Sequence, residues 1–242
     1  MLRSVAHKVI PAPVRRAIWE QWQDSRLRVL IDDWASRRLL RATFLKTQDG
    51  MSVRWLGKPM WQYPLDAWVM QEIIGETRPD LVVETGTFLG GSAYFFGCLC
   101  DLLDHGRVIS IDIDAQDTIA HPRITYLTGS STDPAIVSRV SEEVRAVNAS
   151  SILIVLDSDH SAAHVLAELQ AYAPMVPVGS YIHVQDGMID ETGFFRGKGR
   201  PGPVVAVRAF LNQTPCFVRA EEVERRYIMT AHPYGWLRRV SP

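Results

Sequence analysis

From residue 80 onward, apolar and polar positions alternate in blocks whose period switches between two and 3.6, the pattern of strand and helix in turn. Leu81-Val82-Val83 is a short buried strand, Gly91 to Leu103 a helix, Val108 to Ile111 and Ile124 to Leu127 strands, and Asp133 to Val147 a helix. Ser151 to Leu156 is a strongly apolar strand, Ser161 to Tyr172 a helix with Ala163, Val165, Leu166 and Leu169 on its inner side, and Tyr181 to Val184 the next strand. Alternation of this kind predicts a doubly wound α/β fold, a Rossmann-like parallel sheet with right-handed crossovers. Beyond Asp186 the order degrades. Gly187 to Pro203 is rich in Gly, Pro and charge and reads as a loop over the carboxyl edge of the sheet. Val204 to Leu211 then reads as a short helix, and Tyr227 to Thr230 and Trp236 to Arg239 as closing strands.

The start of the chain is different. Its first 46 residues carry ten Lys or Arg against four acids, with three Trp, and Val14 to Phe44 reads as an amphipathic helix. We divide the chain into a basic helical arm over 1–50 and one catalytic domain over 51–242. The arm suits peripheral contact with a membrane surface, a partner subunit in a homodimer, or packing on its own domain. No run of 18 apolar residues occurs and the first 13 residues lack the apolar core of a secretory signal, so a soluble protein is expected. A net charge of −1 argues against nucleic acid as a partner. Three cysteines, Cys98, Cys100 and Cys216, leave one unpaired under any pairing, which fits reduced thiols in a cytoplasm.

Chemistry concentrates at the strand ends. Leu156-Asp157-Ser158-Asp159-His160 closes one apolar run and Gln185-Asp186 the next. Carboxyl ends of adjacent parallel strands face one crevice, so oxygen ligands from both can share a divalent cation, Mg²⁺ being the natural choice for such ligands. His160 beside them suggests chemistry on a hydroxyl group, or it caps the helix starting at Ser161. His164, one turn on, reads as packed or supporting, and His183 as a satisfied core residue. The first strand opens into Glu84-Thr85-Gly86-Thr87-Phe88-Leu89-Gly90-Gly91-Ser92 before a helix, where glycines and free N–H groups suit a nucleotide-like ligand. The spacing is not that of a pyrophosphate-binding G-x-G-x-x-G, and no Tyr-x-x-x-Lys pair occurs, both of which disfavour a nicotinamide cofactor. Glu84 suits a cationic amino-acid end, and Asp112 at the second strand end suits ribose hydroxyls. Trp55, Trp61, Tyr63 and Trp68 supply aromatic faces for a sugar ring, or core. Lys58, Arg196, Lys198 and Arg200 could face an anionic acceptor.

These residues resemble a known family. Glu84-x-Gly86-x-x-x-Gly90-Gly91-Ser92, Asp112 and Gly129-Ser130-Ser131 look like the S-adenosylmethionine site of class I methyltransferases. Ser130 to Ile136, Leu156 to Ser161, His164 to Glu168, Asp66-Ala67-Trp68, Gln71-Glu72, Gly202-Pro203 and Pro233 to Arg239 resemble, more narrowly, the rhamnosyl O-methyltransferase and cephalosporin hydroxylase family, over about residues 55 to 240. The resemblance implies a seven-stranded sheet, with the basic arm outside it as an N-terminal helical extension, and transfer of a methyl group to a hydroxyl of a sugar or oligosaccharide acceptor. It implies that Glu84, Gly86 and Ser92 line the methionine moiety, Asp112 the ribose, and Ser130 and Ser131 the adenine. It further implies that Asp157, Gln185 and Asp186 ligate Mg²⁺, and that His160 is the base. Gln185 departs from the acid usual in such relatives and weakens the expected metal site, unless Asp159 completes the shell. A non-catalytic S-adenosylmethionine-binding accessory subunit is the alternative.

Overall fold

A computed structural model describes residues 11, 13, 14, 16, 34–43, 53–114, 119–191, 201–227 and 229–242. Most of the predicted arm, Arg196, Lys198 and Arg200 lie outside the described residues. A two-stranded hairpin, β1 (Arg54–Trp55) and β2 (Lys58–Pro59), leads into helix α1 (Pro64–Thr77). There follow β3 (Leu81–Thr85), α2 (Gly91–Leu102), β4 (Arg107–Asp112), β5 (Ile124–Thr128), α3 (Pro134–Ala146) and β6 (Ile152–Leu156). The chain continues through α4 (Ala162–Tyr172), β7 (Tyr181–Val184), α5 (Met188–Glu191) and α6 (Pro203–Gln213). It closes with β8 (Phe217–Arg219), α7 (Glu221–Glu224) and β9 (Trp236–Arg239).

Strands β3 to β9 form one seven-stranded sheet in the order β5-β4-β3-β6-β7-β9-β8, parallel except where β9 runs antiparallel to β7 and β8. β3 and β6 are buried along their whole lengths because both faces are covered. Side chains alternate across a strand, so Leu81, Val83, Ile152, Ile154 and Leu156 meet Val140, Leu169, Tyr172 and Phe210 on one face. Val82, Val108, Leu153 and Val155 meet Met70, Ile73, Ile74, Phe95 and Phe96 on the other. Chain order reverses between neighbours β3 and β6, and the crevice at their carboxyl ends is where such sheets bind ligands.

The predicted strand over Tyr227 to Thr230 is not formed among the described residues; β8 at Phe217–Arg219 takes the sheet edge instead. Tyr227 and Arg226 are drawn off to Glu72 and Glu76 of α1, with Tyr227 Oη 2.8 Å from Glu72 Oε1. Within the predicted loop, α5 is helical and Pro203 starts α6, its ring set for the first helical turn. Helix α1 precedes the alternating blocks, and its Val69, Met70, Ile73 and Ile74 form a helical apolar stripe behind Pro64. Within the arm, residues 34–43 form a helix that packs on the domain: Leu40 is buried with Met188 and Ala231, and its carbonyl accepts from Tyr63 Oη at 2.6 Å. No helix among the described residues is long and apolar enough to cross a membrane, and all three cysteines are free.

Candidate active site

A cavity of about 1060 Å³ opens at the carboxyl edge, lined by Gly86, Ser92, Asp112, Ser130, Ser131, Asp157, His160, Gln185 and Asp186 among others. Of the residues assigned to the site from the sequence, Glu84 alone lies beneath the lining, fully buried in β3.

Gly86 shows why the crevice is narrow at its root. Its φ is +87°, and a Cβ there would stand 2.1 Å from the Asp157 carbonyl, so only glycine lets the β3 and β6 ends approach this closely. The pairing continues past the strands, Asp157 N–H donating to Thr85 O at 3.0 Å and Gly86 N–H to Ile111 O at 2.8 Å. Gly91 answers to a different constraint than a ligand: a Cβ would lie 1.9 Å from Pro59 O, where the β1–β2 hairpin meets the start of α2.

Glu84 Oε2 accepts from Ser110 Oγ at 2.6 Å, while its Oε1 is buried without a hydrogen-bond partner. Burial drives its pKa up to about 7 against the pull of the Ser110 and Ser92 hydroxyls, with Asp112 adding repulsion. Asp112 receives two backbone donors, Phe88 N–H at 2.8 Å and Asp114 N–H at 3.1 Å, which fix its carboxylate at the cavity wall. Ser131 donates to buried Glu168 at 2.6 Å and lies 3.1 Å from His164 Nε2, and Ser158 donates to the same Glu168 oxygen at 2.7 Å. Beside this carboxylate the His164 pKa is raised. With its proton committed to Glu168, Ser131 offers the cavity an acceptor.

Asp157, His160 and Asp186 bring one ligand atom each within 4.8 Å of one another, a spacing suited to a shared cation. Burial, then Asp186, Glu84 and Glu168, push the Asp157 pKa well above its ordinary value, which a cation would reverse. His160 Nε2 lies 3.2 Å from Asp186 Oδ2. The cap of α4 is Ser161, not His160. Asp159 is not part of the cluster, for its Oδ1 accepts the Ser161 N–H at 2.7 Å in the turn before the helix. Gln185 is nearly buried and its Oε1 accepts from Gln62 Nε2 at 2.7 Å; the same Nε2 lies 3.2 Å from Asp157 Oδ2. Gln62, unread in the sequence, thus ties the two strand ends together. Only tertiary contact reveals it, since it lies 95 residues from Asp157.

His183 departs from the expectation of a satisfied core residue. It is wholly buried, stacked on Trp236 at 4.1 Å, and neither ring nitrogen makes a well-formed hydrogen bond, although the Gly235 backbone lies close by. Burial, then nearby His232, depress its pKa well below the ordinary value. The aromatic cluster also divides. Trp61 and Phe88 stand 5.6 Å apart at the cavity, 58% and 46% exposed, and Tyr63 lines it as well. Trp55 packs edge-on against Phe95, and neither Trp68 nor Lys58 is among the lining residues.

The chain has relatives. The family model described as rhamnosyl O-methyltransferase/CmcI matches residues 48–240. A rhamnosyl O-methyltransferase of Mycobacterium tuberculosis is 35% identical over 189 residues, 76% of each chain. Another from Mycobacterium leprae is 32% identical over 165 residues, 66% of this chain and 71% of its own. Among solved structures, an apo structure of CmcI matches with a TM-score of 0.61 at 20% identity, covering 78% of this chain and 77% of that one. A CmcI structure with Mg and SAM matches at 0.60 and 19% identity, with the same coverage. The sheet order and its flanking helices are those of class I methyltransferases, and the chain belongs to the rhamnosyl O-methyltransferase/CmcI family of S-adenosylmethionine-dependent enzymes.

Proposed function

We propose that this protein transfers a methyl group from S-adenosylmethionine to a hydroxyl of a sugar with the help of Mg²⁺, the acceptor being a rhamnose- or mannose-type residue of a glycolipid, an oligosaccharide or a natural product. One observation carries the reading: a single cavity is lined by the Asp157–His160–Asp186 cluster and underlain by the unpartnered oxygen of Glu84. A buried carboxylate with a free oxygen and a raised pKa fits the ammonium of the donor's methionine end, which returns it to its charged form. Asp112, held by two backbone donors, has lone pairs left for ribose hydroxyls, and Ser131 as an acceptor suits the adenine amino group with Ser130 beside it.

Asp157 and Asp186 carry the fixed negative charge that would hold Mg²⁺; Gln185 adds a neutral oxygen, already engaged by Gln62. When bound, the ion supplies positive charge that makes a hydroxyl more acidic. His160, its Nε2 against Asp186, keeps Nδ1 to take the hydroxyl proton, and Asp186 orients the ring. The remaining task of the chain is positioning and exclusion of water, since displacement at a sulfonium methyl needs no protein nucleophile. Free thiols at Cys98, Cys100 and Cys216 support a cytoplasmic setting, and light scattering tests the homodimer expected from the arm.

Incubation with labelled S-adenosylmethionine, Mg²⁺ and a panel of rhamnosides and mannosides should yield a methylated sugar. His160→Ala should lose about 10²–10⁴-fold in turnover, and Asp157→Ala should also lose it. Unchanged turnover in both variants refutes the mechanism. Donor binding by calorimetry without turnover on any acceptor supports the accessory-subunit alternative, which the neutral Gln185–Gln62 pair favours.

A further inference from the structure

Asp186 is one of seven non-glycine residues described with positive φ, at +57°. The left-handed conformation disfavours a side chain, so something must hold the turn after β7. Gln185 N–H still follows the parallel ladder, donating to Leu156 O at 3.0 Å. At Asp186 the ladder ends, and its N–H turns instead to His232 Nδ1 at 2.7 Å. The following residue is fixed from the same side, since a Cβ on Gly187 would lie 2.3 Å from Pro233 O.

His232 is itself immobilised. It is 2% exposed, and its ring meets buried His183 edge-on with centroids 4.9 Å apart. Its Nε2 has no hydrogen-bond partner and faces Asp66 Oδ2 at 3.7 Å. Asp66, 3% exposed in the first turn of α1, is fixed by Thr230 Oγ1 at 2.6 Å and Ala231 N–H at 2.8 Å. Because Nδ1 accepts, the neutral ring carries its proton on Nε2, and the Asp66 carboxylate favours that tautomer. On the other side, Asp186 sends its Oδ2 to His160. A line of contacts, buried at Asp66 and His232, therefore runs to the backbone of Asp186, and on through its partly exposed carboxylate to His160.

We infer that His232, oriented by Asp66, is a positioning residue: it locks Asp186 in its left-handed turn and so aims the carboxylate at the Asp157–His160–Asp186 cluster. The inference rests on the reading of that cluster as a cation site. Groups behind metal ligands typically change metal affinity about 10–100-fold when removed, and that is the loss expected here for His232→Leu, read as Mn²⁺ binding by electron paramagnetic resonance in the full-length protein without acceptor. His232→Asn places an oxygen near the position of Nδ1 and should restore most of the affinity, which a merely space-filling role for the ring would not. Donor affinity measured without metal should be the same in all three proteins. In the wild-type chain, nitrogen-15 spectra should show His232 with an unprotonated Nδ1 and a protonated Nε2, a test that needs no variant to fold. A His232→Leu protein that binds Mn²⁺ as wild type, a His232→Asn protein as weak as the leucine variant, or the opposite tautomer overturns the positioning role and leaves the cation site standing. Failure of the wild-type protein to bind Mn²⁺ overturns both.

Discussion

Glu84 gives the sharpest test of how burial tunes this site. In the folded chain its pKa rises from 4.5 to about 7, chiefly through burial. A raised carboxyl pKa means the folded state holds its proton more tightly than the unfolded state does, so the contribution to stability is complete below pH 4.5 and declines as pH rises toward 7. The gap is worth about 3 kcal/mol, at ~1.4 kcal/mol for each pH unit. Glu84→Gln keeps the shape, removes the titration and should therefore be close to wild type at pH 4 and more stable by up to about 3 kcal/mol at pH 8. Urea denaturation of the ligand-free proteins at intervals between pH 4 and 8 measures this, and the difference between the two curves isolates Glu84 from Asp157, whose pKa is raised too. A difference that stays flat across that range refutes the reasoning. Calorimetry supplies the functional counterpart: a donor with an ammonium group should bind the wild-type chain more tightly as pH rises through 7, and the Glu84→Gln variant should bind it weakly at every pH.

Gly86→Ala should lower the melting temperature by about 4–12 °C, from roughly 2–3 kcal/mol of left-handed strain and backbone displacement at about 2–4 °C per kcal/mol; scanning calorimetry checks it, and a change under 1 °C would show that the β3 and β6 ends need no close approach. His183→Phe should be more favourable at pH 5 than at pH 8, because a histidine buried neutral costs stability as pH falls below 6.5, where the unfolded side chain protonates; denaturation at the two pH values reads the sign. Asp157→Asn should abolish Mn²⁺ binding while raising ligand-free stability above pH 5, since it removes a carboxylate that burial, then repulsion from Asp186 and Glu84, makes costly to ionise; titration calorimetry and melting curves report the two effects. Ile154→Ala, at a fully buried position in β6, should cost about 2–5 kcal/mol in denaturant unfolding.

The sequence by itself determined the sheet core and the outline of the site. β6 is an uninterrupted apolar run and β3 opens on one, a pattern that a strand covered on both faces requires, and strand ends in a parallel sheet converge wherever they lie in the chain. That convergence is why Glu84, Asp112, Asp157 and Asp186 could be read as one site before any geometry was known. Contacts across long stretches of chain left no such periodic trace. Gln62 bridges residues 95 and 123 positions away, and His232 reaches Asp186 from 46 positions on, through single hydrogen bonds that no local pattern encodes. The edge strand was misplaced for a related reason. Tyr227 looks like a strand residue in isolation, but α1 offers Glu72 to its hydroxyl, while Phe217 finds its apolar partners in the core, and only the packed protein weighs those competing neighbours against each other.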